Sequence, residues 1–205
     1  RLLDIMYNFI VYEAGVKKIA RYQQYFVIKK TMTRISALNN GKRKGGVIWH
    51  TQGSGKSLTM VMLAHALALE KSIRNPKIIL VTDRVDLDEQ LYDTFKKCGT
   101  LVHKAKTGKD LVQLLDSKSD AIITTVINKF EAAVKKVKKP YSSPDIFILV
   151  DESHRSQFGT FNISMQKVFE NGCFLGFTGT PLMKKEKNTA SRFGGMIDTY
   201  PITTA

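Results

Sequence analysis

Between two apolar segments the sequence reads Trp49-His50-Thr51-Gln52-Gly53-Ser54-Gly55-Lys56-Ser57. The segment before it, residues 45–49, is typical of a short buried strand, and apolar residues recur at helical spacing over 58–68. Lys56 and Ser57 are therefore expected at a helix N-terminus, where unpaired backbone N–H groups bind phosphate oxygens. In such a loop the lysine reaches the β- and γ-phosphates of a nucleotide and the serine hydroxyl binds Mg²⁺. The predicted cofactor-binding residues are Thr51, Gln52, Gly53, Ser54, Gly55, Lys56 and Ser57.

The loop departs from the phosphate-loop signature G-x-x-x-x-G-K-[ST] at its first position, where His50 replaces glycine. A chance glycine-rich turn is the alternative interpretation. The strand before the loop, the helix after it and the Lys-Ser pair supply the structural context that the motif requires. We therefore interpret the stretch as a phosphate loop whose beginning differs from the usual one.

Length and composition describe an ordinary globular protein. The 205 residues are sufficient for one domain with a full core, and 43% of them are hydrophobic and 24% charged. No apolar run is long enough to cross a bilayer, and two distant cysteines, Cys98 and Cys173, fit a reduced cytoplasmic protein. The net charge of +14 favours a polyanionic partner such as DNA, although the lysine-rich runs also suit solvated loops.

Strand and helix patterns alternate along the chain. Apolar, β-branched runs predict strands at 77–81, 120–125, 145–150 and 174–178. Periodic apolar residues predict helices at 17–38, 86–97, 107–116, from about 126, and at 161–169. This order predicts an α/β fold of three layers, with a mostly parallel central sheet and helices on both faces.

The strand over 145–150 is apolar from Ile146 to Val150 and is followed by Asp151-Glu152. Adjacent carboxylates repel each other unless a cation is present, so a metal-binding role is favoured over a surface acid pair. We predict that Asp151 binds Mg²⁺ and that Glu152 acts as the general base that activates water. Together with Lys56 they form the predicted catalytic group.

Several segments together resemble a known family. They are GGVIWHTQGSGKSLTM, VTDRVDLDEQL, ITTVINKF, VDESHRSQFG and GFTGTPL. The order of these segments resembles that in superfamily 2 helicases and translocases. Their sequences are similar to those of the motor (R) subunit of type I restriction-modification enzymes. The resemblance implies a RecA-like lobe of a P-loop ATPase that uses ATP and Mg²⁺, and it extends from about residue 21 to the end of the chain.

The resemblance also implies residue roles. It implies that Gln24 recognises adenine, with Arg21 in the same motif. The residues implied to couple the nucleotide to DNA are His154, Thr178 and Thr180. The residues implied to contact the DNA backbone are Thr82, Asp83, Arg84, Thr124 and Thr125.

The resemblance divides the chain at residue 16. Residues 1–16 are expected to connect to a preceding nuclease domain, and 17–205 form the first motor lobe, truncated before a second lobe with its arginine finger. The expected partners are double-stranded DNA and the modification and specificity subunits, with no membrane, and the lobe alone is expected to be nearly inactive. The alternatives are another superfamily 2 helicase or remodeller, or a nucleotide-binding module without hydrolysis, against which Ser57 and Glu152 argue.

Overall fold

A computed structural model of the protein describes residues 2–117, 121–137, 139–151, 165–180, 190–191 and 193–201. Its helices are α1 (Leu2–Asn8), α2 (Tyr22–Ser36), α3 (Lys56–Leu69), α4 (Val85–Lys97), α5 (Gly108–Asp116) and α6 (Ile127–Val134). Its strands are β1 (Ile10–Glu13), β2 (Val16–Ile19), β3 (Leu38–Asn39), β4 (Lys42–Arg43), β5 (Gly46–His50), β6 (Lys77–Thr82), β7 (His103–Lys104), β8 (Ala121–Val126), β9 (Ile146–Val150), β10 (Cys173–Thr178) and β11 (Met196–Tyr200).

The central sheet contains seven strands in the order β11-β5-β10-β9-β6-β8-β7, and neighbouring strands are parallel. The central strand β9 is buried at every position because helices cover both faces of the sheet. Parallel strands present their carboxyl ends at one edge, so the loops that follow β5, β6, β9 and β10 lie along the same edge.

Two apolar cores flank the sheet. Alternate residues of β6 point to opposite faces, so Ile78 and Leu80 join the core formed with α2, α3 and α4. Ile79 and Val81 join the core formed with α5 and α6. The predicted three-layer α/β fold with a parallel sheet is therefore confirmed.

The predicted helix over 17–38 is wrong at both ends. Its first residues belong to β2, which pairs with β1 in a hairpin whose turn uses positive φ at Ala14 (49°) and Gly15 (81°). Helix α2 begins only at Tyr22, where the Gln24 side chain caps the backbone N–H of Arg21. Of the predicted helix over 161–169, residues 161–164 lie outside the described residues, and 165–168 are helical.

The amino-terminal segment packs on the α2–α4 face. Phe9 and Val11 are buried in that core, and the N–H of Ala14 donates to the Lys97 carbonyl at 3.0 Å. The division at residue 16 stays a prediction. None of the described helices is long and apolar enough to span a membrane.

An ion pair with a buried arginine joins elements at the amino ends of the strands. The Arg43 guanidinium, almost without solvent exposure, donates to Asp145 Oδ1 at 2.8 Å. It also donates to the carbonyls of Ile35 and Ser72, both at 2.8 Å. Because these contacts satisfy the buried charge, they fix β4 against α2 and the start of β9.

Candidate nucleotide-binding site

The phosphate loop connects β5 to α3 and turns through left-handed backbone. Gly53 has φ of 81° and Gly55, the N-cap of α3, has φ of 85°. A Cβ on Gly55 would lie 2.7 Å from Nε2 of Gln24, so only glycine fits here. The loop therefore presents the free N–H groups of the first turn of α3 without a side chain in the way.

A cleft of about 650 Å³ lies over this loop at the carboxyl edge of the sheet. The sheet order explains its composition, because β10, β9 and β6 deliver residues beside the loop of β5. The residues predicted for the site that line it are Gln52, Gly53, Gly55, Lys56, Ser57, Arg84, Asp151 and Thr180. Glu152 and His154 lie outside the described residues.

The cleft fits a nucleotide and its metal by the chemistry of its groups. Lys56 lies at the N-terminus of α3, and its Nζ donates to the His50 carbonyl at 3.4 Å. The Ser54 hydroxyl is buried in the loop and has no hydrogen-bond partner among the described residues. No cluster of three or more His, Cys, Asp or Glu able to hold a metal occurs within the described part of the chain. Ser57 and Asp151 both line the cleft, and their oxygen atoms are of the kind that Mg²⁺ prefers.

Gln24 is bound to the loop itself. Its side chain is buried, its Oε1 accepts from the Arg21 N–H at 2.8 Å, and its Nε2 donates to the Gly55 carbonyl at 3.0 Å. A longer contact of 3.3 Å joins Nε2 to the Thr59 hydroxyl. The structure thus gives Gln24 a contact with the phosphate loop that sequence reasoning missed, and adenine recognition by Gln24 and Arg21 stays a prediction.

His50, at the position of the missing glycine, is buried and bonds Asp198 of β11, with 3.0 Å between Nε2 and Oδ2. The other carboxylate oxygen of Asp198 accepts from Lys30 of α2 at 2.5 Å. Burial lowers the pKa of His50, the Asp198 carboxylate raises it, and the positive charges of Lys56 and Lys30 lower it further. Sequence analysis did not identify Asp198 as a site residue, because it predicted no strand at β11.

The threonines that follow β10 form a compact turn. Thr178 is buried at the end of the strand, and its hydroxyl accepts from the Thr180 N–H at 3.3 Å. Thr180 reaches the cleft. Their role in coupling stays a prediction.

The residues predicted to contact DNA divide by exposure. Thr82, Thr124 and Thr125 are fully buried at the ends of β6 and β8. Asp83 is half-buried, whereas Arg84 is exposed and lies 3.4 Å from Asp86 as well as lining the cleft. Direct DNA contact by these side chains stays a prediction, with Arg84 the most accessible of them.

A buried carboxylate lies beneath this edge. Asp88 of α4 is fully buried, and neither of its oxygens has a hydrogen-bond partner among the described residues. Lys104 Nζ lies 3.6 Å from Oδ2. Burial raises the pKa of the Asp88 carboxyl, and the nearby Lys104 and Thr124 lower it by a smaller amount.

A parallel sheet that carries a phosphate loop on one strand and an acid at the end of a nearby one defines a RecA-like P-loop ATPase lobe. The family model for the SWI2/SNF2 ATPase matches residues 23–205, and the chain belongs to that family.

Similar proteins include endonuclease subunits of type I restriction enzymes. The whole chain is 35% identical to the MjaIXP subunit of Methanocaldococcus jannaschii, of which it covers 20%. It is 33% identical to the HindI subunit of Haemophilus influenzae, of which it covers 22%. The chain thus spans about a fifth of these relatives, and the sequence resemblance to type I motor subunits is confirmed.

The fold is similar to that of the type ISP restriction-modification enzyme LlaGI. That structure is of a nuclease-deletion mutant in complex with a DNA substrate mimic. The TM-score is 0.66 at 15% identity, over 90% of this chain and 20% of the other. At this identity the similarity supports the RecA-like fold alone.

Proposed function

We propose that the chain is the ATP-binding lobe of an ATP-dependent double-stranded DNA translocase in a type I restriction endonuclease complex. The observation that carries the proposal is the cleft that brings Lys56 and Ser57 of the phosphate loop together with Asp151 of β9. Those groups have the chemistry to hold the β- and γ-phosphates and their metal. The similarity to type I endonuclease subunits over the whole chain supports the biological context.

The chain's own residues have distinct tasks in this proposal. Lys56 and the N–H groups of the loop hold the phosphates, while Ser57 and Asp151 hold Mg²⁺. Bound Mg²⁺ would supply positive charge against the phosphate oxygens. Glu152, which lies outside the described residues, orients and deprotonates the attacking water. Apart from this base, the protein would contribute mainly positioning and charge stabilisation to hydrolysis.

The proposed partners are double-stranded DNA and the modification and specificity subunits. A net charge of +14 favours DNA phosphates in a manner independent of sequence, which suits a translocase. Arg84 lies exposed at the carboxyl edge of the sheet, where such contact would occur. We also propose that this lobe alone hydrolyses ATP poorly, because an arginine finger from a second lobe contributes about 10³ to 10⁵ in rate.

Lys56→Ala in the intact protein tests the proposal. We expect loss of ATP binding, of DNA-stimulated ATP hydrolysis and of displacement of a triplex-forming strand from plasmid DNA. Lys71→Ala is the matched control, since Lys71 is exposed just beyond the other end of α3. Unchanged ATP hydrolysis in Lys56→Ala would rule out this site, and equal losses in both variants would show a general effect of charge.

The SWI2/SNF2 family match favours a second candidate, which is another superfamily 2 helicase or remodeller. Triplex displacement without strand separation supports the translocase, whereas separation of a duplex supports the helicase. A nucleotide-binding module without hydrolysis is the third candidate. Substitution of Glu152 by Gln distinguishes it, because only a hydrolase loses turnover while retaining bound ATP.

A further inference from the structure

The start of the phosphate loop is fixed to the edge strand β11 through a side chain that the usual glycine lacks. His50, the last residue of β5, bonds Asp198 at 3.0 Å and is 1% exposed. Asp198 in turn bonds Lys30 of α2 at 2.5 Å, so the three side chains join β5, β11 and α2. A glycine at position 50 would leave the Asp198 carboxylate, only 13% exposed, without its second partner.

The backbone around His50 depends on the same strand. The Thr51 N–H donates to the Tyr200 carbonyl of β11 at 3.0 Å, and the two strands pair in parallel up to this point. At the far end of the loop, Lys56 Nζ donates to the carbonyl of His50 at 3.4 Å. The lysine that would bind phosphate therefore rests on the residue that β11 holds in place.

We infer that His50 is a positioning residue for ATP: its bond to Asp198 holds the loop against β11, so that the N–H groups at the start of α3 are arranged before phosphate arrives. This inference rests on the proposed ATP-binding function. Preformed donors bind an anion more tightly than donors that must first be ordered. The side chain at position 50 thus replaces the tight turn that the usual glycine supplies.

The charges around His50 are consistent with this role. The charged groups that face it are Asp198, Lys30 and Lys56, and the ring of Tyr200 lies 5.6 Å from the imidazole ring. Burial lowers the pKa of His50, the Asp198 carboxylate raises it by less, and the two lysines lower it, so that the pKa lies below its usual value and a neutral imidazole can donate from Nε2 to the carboxylate. With His50 neutral, the charges of Lys30 and Asp198 offset each other, so the three side chains add no net positive charge beside the loop.

The test compares His50→Leu with His50→Gln in the intact protein, by the Kd of ATP and by the urea midpoint of unfolding. Leucine fills the space without a donor, and we expect a Kd about tenfold higher than wild type. Glutamine keeps an N–H donor, and we expect its Kd to stay within about threefold of wild type. Rescue by glutamine would not follow from a role in packing alone.

The Asp198→Ala variant, which lacks the acceptor, completes a double-mutant cycle. Because both residues act through one bond, the double variant of His50→Leu and Asp198→Ala should bind ATP no more weakly than His50→Leu alone. Additive losses, or a wild-type Kd for His50→Leu, would overturn the inference. Loss of binding in Lys56→Ala would still uphold the proposed ATP site in either case.

A second pair of variants covers the outcome in which His50→Leu does not fold. Lys30→Met removes the second partner of Asp198. Lys29→Met is the control, because Lys29 lies beside Lys30 on α2 but pairs with Asp4 instead. The two lysines are similarly exposed, at 57% and 50%. We expect about a threefold rise in the Kd of ATP for Lys30→Met only. Equal Kd values for the two variants would overturn the inference.

Discussion

Replacing Gln24 by leucine is expected to destabilise the protein and to weaken ATP and GTP binding equally. The amide bonds the Arg21 N–H at 2.8 Å and the Gly55 carbonyl at 3.0 Å, within a site where its side chain is 3% exposed. Leucine has a similar volume but no polar atoms. The substitution therefore leaves the Arg21 N–H without its partner and removes the bond from α2 to the Gly55 carbonyl, which keeps only its bonds from Thr59.

The magnitude follows from the two shorter bonds. A neutral hydrogen bond contributes about 0.5 to 1.5 kcal/mol, so losing both lowers the free energy of unfolding by about 1 to 3 kcal/mol. For a domain of this size each kcal/mol lowers Tm by about 2 to 4 °C, which gives a fall of about 2 to 12 °C. The longer contact with Thr59, at 3.3 Å, adds little by comparison.

Urea unfolding gives the stability, and titration with ATP and GTP gives the two Kd values. Gln113→Leu is the control, because Gln113 is exposed on α5, far from the loop in the sheet order. Unchanged stability together with unchanged Kd values would refute the argument that Gln24 holds the loop. A loss confined to ATP would instead support the adenine recognition that the sequence resemblance implies.

Three further predictions concern stability. Arg43→Met should lower the free energy of unfolding by about 3 kcal/mol, because it leaves the half-buried Asp145 without its charge partner, and the Kd of ATP should stay unchanged. Asp88→Asn should raise stability at pH 7 more than at pH 4 in urea titrations, since the raised pKa of the carboxyl means that its charged form opposes folding. Burial lowers the pKa of both His50 and His65 below 6.5, so their contribution is complete above pH 6.5 and is lost as the pH falls through the lowered values. His65→Gln should therefore reduce the loss of stability between pH 7 and pH 5.

Each of these has a contradicting result. A change in ATP affinity with Arg43→Met would mean that the amino ends of the strands influence the loop. A loss of stability at pH 7 with Asp88→Asn would mean that the pair with Lys104, at 3.6 Å, outweighs burial of the charge. An unchanged pH profile with His65→Gln would place the acid sensitivity elsewhere.

Much of the fold follows from local sequence patterns. Residues 146–150 form an apolar run that suits a strand buried on both faces, and β9 lies at the centre of the sheet. The order of strand, glycine turn and helix around Gly55 is equally local, and α3 begins at Lys56 as predicted. Such elements are predictable because one segment carries the whole signal.

The pairings that complete the site are not local. β11 contains Met196, Asp198 and Thr199 among its five residues and is only partly buried, so its sequence lacks the apolar run typical of a strand. The bond from Asp198 to His50 spans 148 residues, and the bond from Gln24 to Gly55 spans 31. Tertiary packing alone brings these groups together, so no local pattern in the sequence predicts them.

The position of β5 in the sheet has a consequence for the order in which the protein is built. Its neighbours are β10 and β11, which are the last two strands in the described chain, whereas β6 pairs with both β8 and β9. At about 5 to 20 residues per second, translation supplies Asp198 about 7 to 30 s after His50. Until β10 is translated the loop strand has no partner in this sheet, so the nucleotide site forms after the part of the sheet that contains β6, β8 and β9.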